Sequence, residues 1–478
     1  MTIFSGKKRR QIYKKQYGNN PANDPWHYLR LERLDLIRLY HDNLKAGTVD
    51  AITWDDLEMD DVFFRINHTR SYAGEQVLYH RLHGSSSETD WNEFERRIEF
   101  FDQHEEKRVI MEDQLAGIGK AQTSYHMPVV LNYLCDTSVP RMALYRMLQF
   151  LFFASLAGVI VLKMQSSIVS LVIIACLNLV IYVREKSKAE GTLSCIQDLF
   201  SILEFCRYIN KTPLFRDMLL SPALITDIKR LKHLRFLSGH FLSKKMTAQV
   251  DPQGLIADYI FGITLWDLAS FNKIVKIVKD NKEAIMRLFE FAGNIDITIS
   301  IASYRKSIAY HCIPVFSEDN AVLADNLIHP LVPDAVPNSI ILDRHTIIMG
   351  ANASGKSTFI KAVALNIILA QTIHTCVATR FVLPSVQVVT SMAVRDHINA
   401  GESFYVREVK NLKRMLVEIE KGKLVFCIID EILKGTNTAE RLAAAEAVLR
   451  YLSEQKCMFL NQIALLTERA ALPVISKT

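Results

Sequence analysis

Gly350-Ala351-Asn352-Ala353-Ser354-Gly355-Lys356-Ser357 is the run of residues in this chain best suited to chemistry, because it fits G-x-x-x-x-G-K-[ST]. Gly350 and Gly355 let the backbone turn tightly enough for its N–H groups to face inward at phosphate oxygens. Lys356 is placed to reach β- and γ-phosphates, and Ser357 offers a hydroxyl to a magnesium ion. Residues 346–349 (TIIM) read as the strand leading into this turn. Residues 358–369, beginning at Thr358, read as a helix that points its positive dipole end at the same anion. Gly350 to Thr358 are therefore expected to hold ATP with Mg2+.

A second group completes such a site. Residues 424–429 (LVFCII) form a continuous apolar run of the kind that makes a fully buried parallel strand, and Asp430-Glu431 follow it directly. Two carboxylates then stand at the C-terminal edge of the sheet, where open α/β sheets bind ligands. Asp430 is the candidate for holding hydrated magnesium, and Glu431 the candidate for polarising an attacking water as general base. An Asp-Glu pair after a strand is ordinarily a surface turn. Its place in a domain that needs carboxylates at this edge selects the chemical reading.

The elements that must position these groups occupy a long chain. A length of 478 residues predicts two to four domains, and 49% hydrophobic with 23% charged residues is a globular balance. The net charge of +6 permits an anionic partner without requiring one. The eight cysteines are scattered and form no C-x-x-C pair, which argues against a zinc site or a disulfide framework and for a reducing compartment. A basic N-terminal run, Lys7-Lys8-Arg9-Arg10 with Lys14-Lys15, lacks the apolar segment of a secretory signal. It reads either as a solvated mobile tail or as a contact for phosphates. Residues 229–245, where basic residues are interleaved with leucines and a phenylalanine, read either as an amphipathic helix with a solvated basic face or as a phosphate contact.

Residues 147–162 (MLQFLFFASLAGVIVL) carry no charge, and after Lys163 a second uncharged run covers residues 164–183. A helix needs about 20 apolar residues to cross a bilayer, so the second run is long enough and the first is slightly short. Arg141 and Arg146 precede the pair and Arg184, Lys186 and Lys188 follow it, which places both outer ends in the cytosol. The expectation is a two-helix membrane hairpin; the other reading is a helical hairpin buried in a soluble core. Segments on either side have helical periodicity, and Pro330, Pro333 and Pro337 mark a boundary beyond which short strands alternate with helices. The expected organisation is α plus α/β. It comprises a basic segment over 1–50, a helical region over 51–140, the hairpin over 147–183, a second helical region over 186–315, and a P-loop domain over 316–478.

With these residues in view, the chain resembles the MutS family of ABC-type ATPases. The P-loop run GANASGKSTF and the stretch from Asp430 to Thr438 (DEILKGTNT) are similar to that family's Walker A, Walker B and D-loop, and residues 401–405 (GESFY) to its signature loop. The resemblance implies that Ser403 approaches the γ-phosphate held by an opposing subunit, in a homodimer with composite ATP sites. Residues 329–332 (HPLV), Pro337-Asn338, Asn294 to Ala302, and the segment with Thr69, Gly74, Gln76 and Leu78 are similar to the family's approach to the nucleotide domain, its lever and its core. DNA is then an expected partner, with a mismatch-repair-related role through an ATP-driven clamp.

Three departures modify that expectation. The core-like segment begins near residue 50, so direct mismatch reading is not expected. The apolar hairpin interrupts the helical region near where a DNA-embracing clamp would lie. Residues 461–478 lack the histidine expected after the strand that follows Walker B, so slow turnover is expected. Two other classes stay open: an ABC-type ATPase coupled to transport, and a regulatory protein that binds nucleotide and scarcely hydrolyses it. Two helices are too few for the usual translocation path, and no LSGGQ-like run is present.

Overall fold

The computed structural model describes residues 6–23, 32–45, 47–84, 90–136, 142–161, 163, 165–234, 262–343, 345–350, 355–392, 404–430, 432 and 438–464. Its N-terminal two-thirds are helical. The first helix, α1 (Gly6–Gln16), is the basic run, and it does not trail into solvent. Arg9 and Arg10 pair with Asp113, Lys14 pairs with Glu105, and Tyr13 is buried beneath the Arg70 guanidinium. The mobile-tail reading is therefore corrected: acidic residues on a neighbouring helix neutralise much of the run. Of the second basic stretch, residues 235–245 lie outside the described residues.

Helices α2 (Leu34–Leu44), α3 (Ala51–Asp56), α4 (Met59–Ile66), α5 (Tyr72–Leu82), α6 (Trp91–Gln103), α7 (Glu105–Ile118) and α8 (Met127–Asp136) follow. Several begin where a short polar side chain takes an otherwise unpaired backbone N–H. Asp50 accepts from Thr53 N, Ser71 from Gly74 N, and Asp90 from Asn92 N and Glu93 N.

Next come α9 (Met142–Ile160) and α10 (Gln165–Lys211), which pack on each other. The second apolar run is thus not a separate short helix. It is the first part of a 47-residue helix whose later turns, at Leu199, Phe200, Ile202 and Leu203, enter the main core. Two spans, Ala143–Ile160 and Gln165–Arg184, are long and apolar enough to cross a membrane by length and composition, and only 17% and 11% of them are buried. Phe150, Val161 and Val180 are 72%, 74% and 67% exposed. The described protein therefore does not bury the pair as a soluble core hairpin would.

After α11 (Pro213–Leu219), α12 (Pro222–Arg230) and α13 (Trp266–Asp280), the long helix α14 (Lys282–Lys306) runs through the helical core and is buried along almost its whole length. Its crossing with α5 explains several residues of the family-like segments. A Cβ on Gly74 would lie 2.7 Å from Asp296 Cγ, and one on Gly293 2.6 Å from Val77 Cγ2, so glycine on each helix lets the two backbones meet. Asp296 then closes the N-terminus of α5, accepting from Arg70 N at 2.9 Å, Ser71 N at 2.8 Å and Ser71 Oγ at 2.6 Å. Burial pushes its carboxyl up to about 6 even though these bonds favour the charged form. Glu75, one turn on, is wholly buried, which would raise its pKa; Lys120 and Arg33 outweigh the burial and hold it down to about 2.

Three histidines share the pocket beside α3. His41 and His83 stack at 3.6 Å, His83 stacks on Trp54 at 3.7 Å, and His41 Nδ1 lies 3.1 Å from His80 Nδ1. Burial, with mutual repulsion second, pushes His80 down to about 4; burial pushes His83 down to about 3 and lowers His41 as well. Below pH 6.5 the unfolded chain takes protons that the folded chain refuses. Stability is therefore full above that pH and falls as pH drops toward 4, by about 1.4 kcal/mol per pH unit for each histidine held neutral. Urea unfolding at pH 7.5 and pH 5.5 is expected to show this loss, and His80→Gln to reduce it. A wild-type midpoint independent of pH over that interval would contradict the neutral cluster.

The remainder is α/β. Strands β1 (Val315–Phe316), β2 (Val322–Leu327) and β3 (Asn338–Leu342) join β5 (Arg380–Leu383) in a mixed sheet of order β1-β5-β2-β3, which the sequence pattern did not separate from the parallel one. Strands β4 (Thr346–Gly350), β6 (Gln387–Ser391), β7 (Val425–Asp430) and β8 (Cys457–Ala464) form a parallel sheet of order β4-β8-β7-β6. Val425 to Ile429 are all buried, as expected of a strand covered on both faces. Helices α15 (Lys356–Ile373), α16 (Phe404–Glu420) and α17 (Thr438–Ser453) connect these strands.

Candidate nucleotide site

Because β4, β8 and β7 are parallel, their C-terminal ends lie on one edge, which carries Gly350 at the end of β4 and Asp430 at the end of β7. Gly355 has φ +83°, a left-handed value that suits glycine, and a Cβ built on it would meet no atom within 4 Å. The N-cap of α15, Gly355, offers no side chain to the N–H groups of the first turn, the end of a helix that favours anions. Lys356 is buried, with 8% of its surface exposed, at the head of this helix.

β8 links the two halves of the site. Gln462 is the ladder partner of Ile348 on one side and of Asp430 on the other, and its Oε1 accepts from Ser357 Oγ at 3.1 Å. The hydroxyl proposed for magnesium is thereby held next to the strand that carries the proposed magnesium carboxylate. Asp430 Oδ1 is buried without a hydrogen-bond partner, an arrangement that costs free energy unless a cation or its water shell completes it. The donors present, a carboxylate and a hydroxyl, suit a hard oxygen-seeking ion such as magnesium.

Gln462 is a site residue that sequence reasoning missed. The family pattern points to a histidine after this strand, which residues 461–478 lack, and the informative signal is the strand position beside Asp430. Ala351, Asn352, Ala353, Ser354, Ser403 and Glu431 lie outside the described residues. Lys356, Ser357, Thr358, Gly350, Gly355 and Asp430 are at the edge just described.

A cavity of about 390 Å³ adjoins Lys356 and is lined by His329, Val332, Val336, Ile348 and Phe359. It has the size and the largely apolar wall of a small-molecule pocket. His329, buried and close to Lys361, has its pKa lowered to about 4 and stays neutral there.

The helical region grips this domain through contacts with no local sequence signal. Asp56 accepts from Thr390 Oγ1 at 2.6 Å and from Met392 N at 3.0 Å, at the end of β6; Arg414 bonds both Asp50 and the Thr390 carbonyl. At the far end of α15, Arg305 makes a two-point ion pair with Glu95 at 2.6 and 2.7 Å and donates to the His374 carbonyl at 2.8 Å. Glu95 also bonds His374 Nδ1 at 2.7 Å.

Residues 346–470, from the start of β4 onward, match the family model of MutS domain V. The DNA mismatch repair protein MutS of Pseudothermotoga lettingae is 32% identical over 221 residues, which is 44% of this chain and 27% of that protein. Over these residues the chain is similar to the MutS family. The MutS proteins of Leptospira interrogans (29% over 218 residues; 42% of this chain, 25% of that one) and Listeria monocytogenes (31% over 195 residues; 38% and 22%) are similar to it as well. The chain spans about a quarter of the length of the curated relatives it matches.

Proposed function

We propose that this chain is a membrane-anchored MutS-type ATPase that binds ATP with magnesium and acts on DNA as a clamp-like dimer. The observation that carries the reading is the convergence of Lys356, Ser357 and the unpartnered Asp430 on one sheet edge, joined through Gln462. In this reading Lys356 and the N–H groups of the β4–α15 turn hold the phosphates, with the neighbouring cavity open to the nucleoside. Ser357 and Asp430 hold magnesium, which when bound neutralises phosphate charge. Glu431 orients the attacking water, and Ser403 reaches the site of a second copy. Filter binding of the detergent-purified protein to DNA, with and without ATP at two salt concentrations, tests the DNA partner. ATP-stimulated retention supports the reading, and equal weak retention in all four conditions refutes it.

The membrane part rests on α9 and on the first turns of α10, whose apolar faces are exposed. Transfer of such a surface from water to lipid is favourable by about 25 cal/mol per Å². Because α10 continues into the main core, the anchor is continuous with the helical region rather than tethered to it. The chain is expected to stay in the membrane pellet through carbonate extraction, and to leave it when residues 147–183 are deleted. Release of the intact protein by carbonate would remove the anchor from the reading.

A further inference from the structure

We propose that Cys312 and Cys376 form a redox-modification site, closing to a disulfide that ties the exit of α14 to the exit of α15. The two residues face each other in an isolated antiparallel bridge. Cys312 N donates to the Cys376 carbonyl, and Cys376 N to the Cys312 carbonyl, both at 3.0 Å. A doubly bonded antiparallel pair has Cα atoms about 5.5 Å apart, within the roughly 4.4–6.8 Å that a disulfide spans. The backbone spacing is therefore compatible with the oxidised form, and the two thiols are in contact.

The partners differ in a way that assigns their roles. Cys312 is half-buried and within reach of a small oxidant, and the neighbouring Cys376 thiol holds its pKa below the usual value. Cys376 is fully buried, is pushed up by that burial, and donates its S–H to the Asn366 carbonyl at 3.6 Å. Cys312 is the attacking thiol and Cys376 the resolving one. The surrounding backbone is held in place, since Arg305 bonds the His374 carbonyl and Thr375 Oγ1 just before Cys376.

The oxidant is a low-molecular-weight disulfide such as oxidised glutathione. The Cys312 thiolate attacks one of its sulfurs, the small S–S bond breaks, and the departing thiolate takes up the proton that Cys312 lost. Cys376 then attacks Cys312 in the mixed disulfide, and the second small thiol leaves with the Cys376 proton. Two protein thiols are oxidised by two electrons, and one small disulfide is reduced to two thiols. A cysteine pair of this kind in a reducing compartment fits a reversible device rather than a permanent crosslink.

The full chain in detergent is incubated with oxidised glutathione, blocked with iodoacetamide and digested without reductant for mass spectrometry. The expected result is loss of two alkylatable thiols and recovery of the peptide pair joining Cys312 to Cys376. Cys427 on β7 and Cys457 on β8, both buried, are expected to remain thiols and serve as the reference for intact folding. Cys312→Ser is expected to leave Cys376 reduced. Recovery of Cys312 as a stable glutathione adduct, of both residues as free thiols, or of Cys427 and Cys457 oxidised to the same extent would overturn the proposal. The mapping is made on the unmodified sequence, so it does not depend on how the variant folds.

Discussion

Lys356→Ala is expected to weaken ATP binding by roughly a hundredfold or more. The lysine heads α15 from a buried position, directly after the β4–α15 turn. Charge-assisted hydrogen bonds are worth about 1.5–3 kcal/mol each, and this residue type spans two phosphates, so about 3 kcal/mol or more is lost, which is roughly two decades in Kd. The loss exceeds that for a surface lysine because burial reduces screening by water. Calorimetric titration should use the full chain, since Asp56, Arg414 and Glu95 knit the nucleotide domain to the helical region. A thermal melt of the variant controls for folding. Equal ATP affinity in variant and parent would sink the phosphate assignment.

Glu431→Gln carries the second large effect. It directly follows Asp430, keeps the shape of the side chain and removes its basicity. ATP binding should persist while turnover falls by about 10²–10⁴-fold, the usual contribution of a positioned general base. The variant should also hold ATP long enough to accumulate the dimer that Ser403 is proposed to complete. Light scattering in detergent at saturating ATP is the measurement; a monomer there would count against Ser403 acting across an interface. Turnover unchanged from the parent would remove Glu431 from catalysis. Gln462 gives the comparison. Because it bonds Ser357, Gln462→Ala is expected to act mainly on magnesium dependence.

Local signals in the chain determined more of the site than of the body. The spacing of Gly350, Gly355, Lys356 and Ser357 describes a phosphate turn by itself, since backbone conformation and side-chain chemistry there are set within a few residues. The same holds for residues 424–429 with Asp430, and for the apolar runs of α9 and α10, where composition alone decides the spans. The family-like residues Gly74 and Asp296 were legible as a pattern. Their reason, two helices meeting where only glycine leaves room and a carboxylate closing the next helix, appeared only once α5 and α14 were seen to cross.

Tertiary structure decided everything that depends on residues distant in sequence. The basic N-terminal run reads as a solvated tail until Asp113 and Glu105 are brought against it. Gln462 is an unremarkable polar residue until β8 inserts between β4 and β7, because strand order is chosen by packing across the whole sheet and not by any one strand. Cys312 and Cys376 look like scattered cysteines until the ends of α14 and α15 are drawn together around Arg305. Chemistry confined to one turn is written in neighbouring residues; chemistry made by pairing separate segments waits for the burial that pairs them.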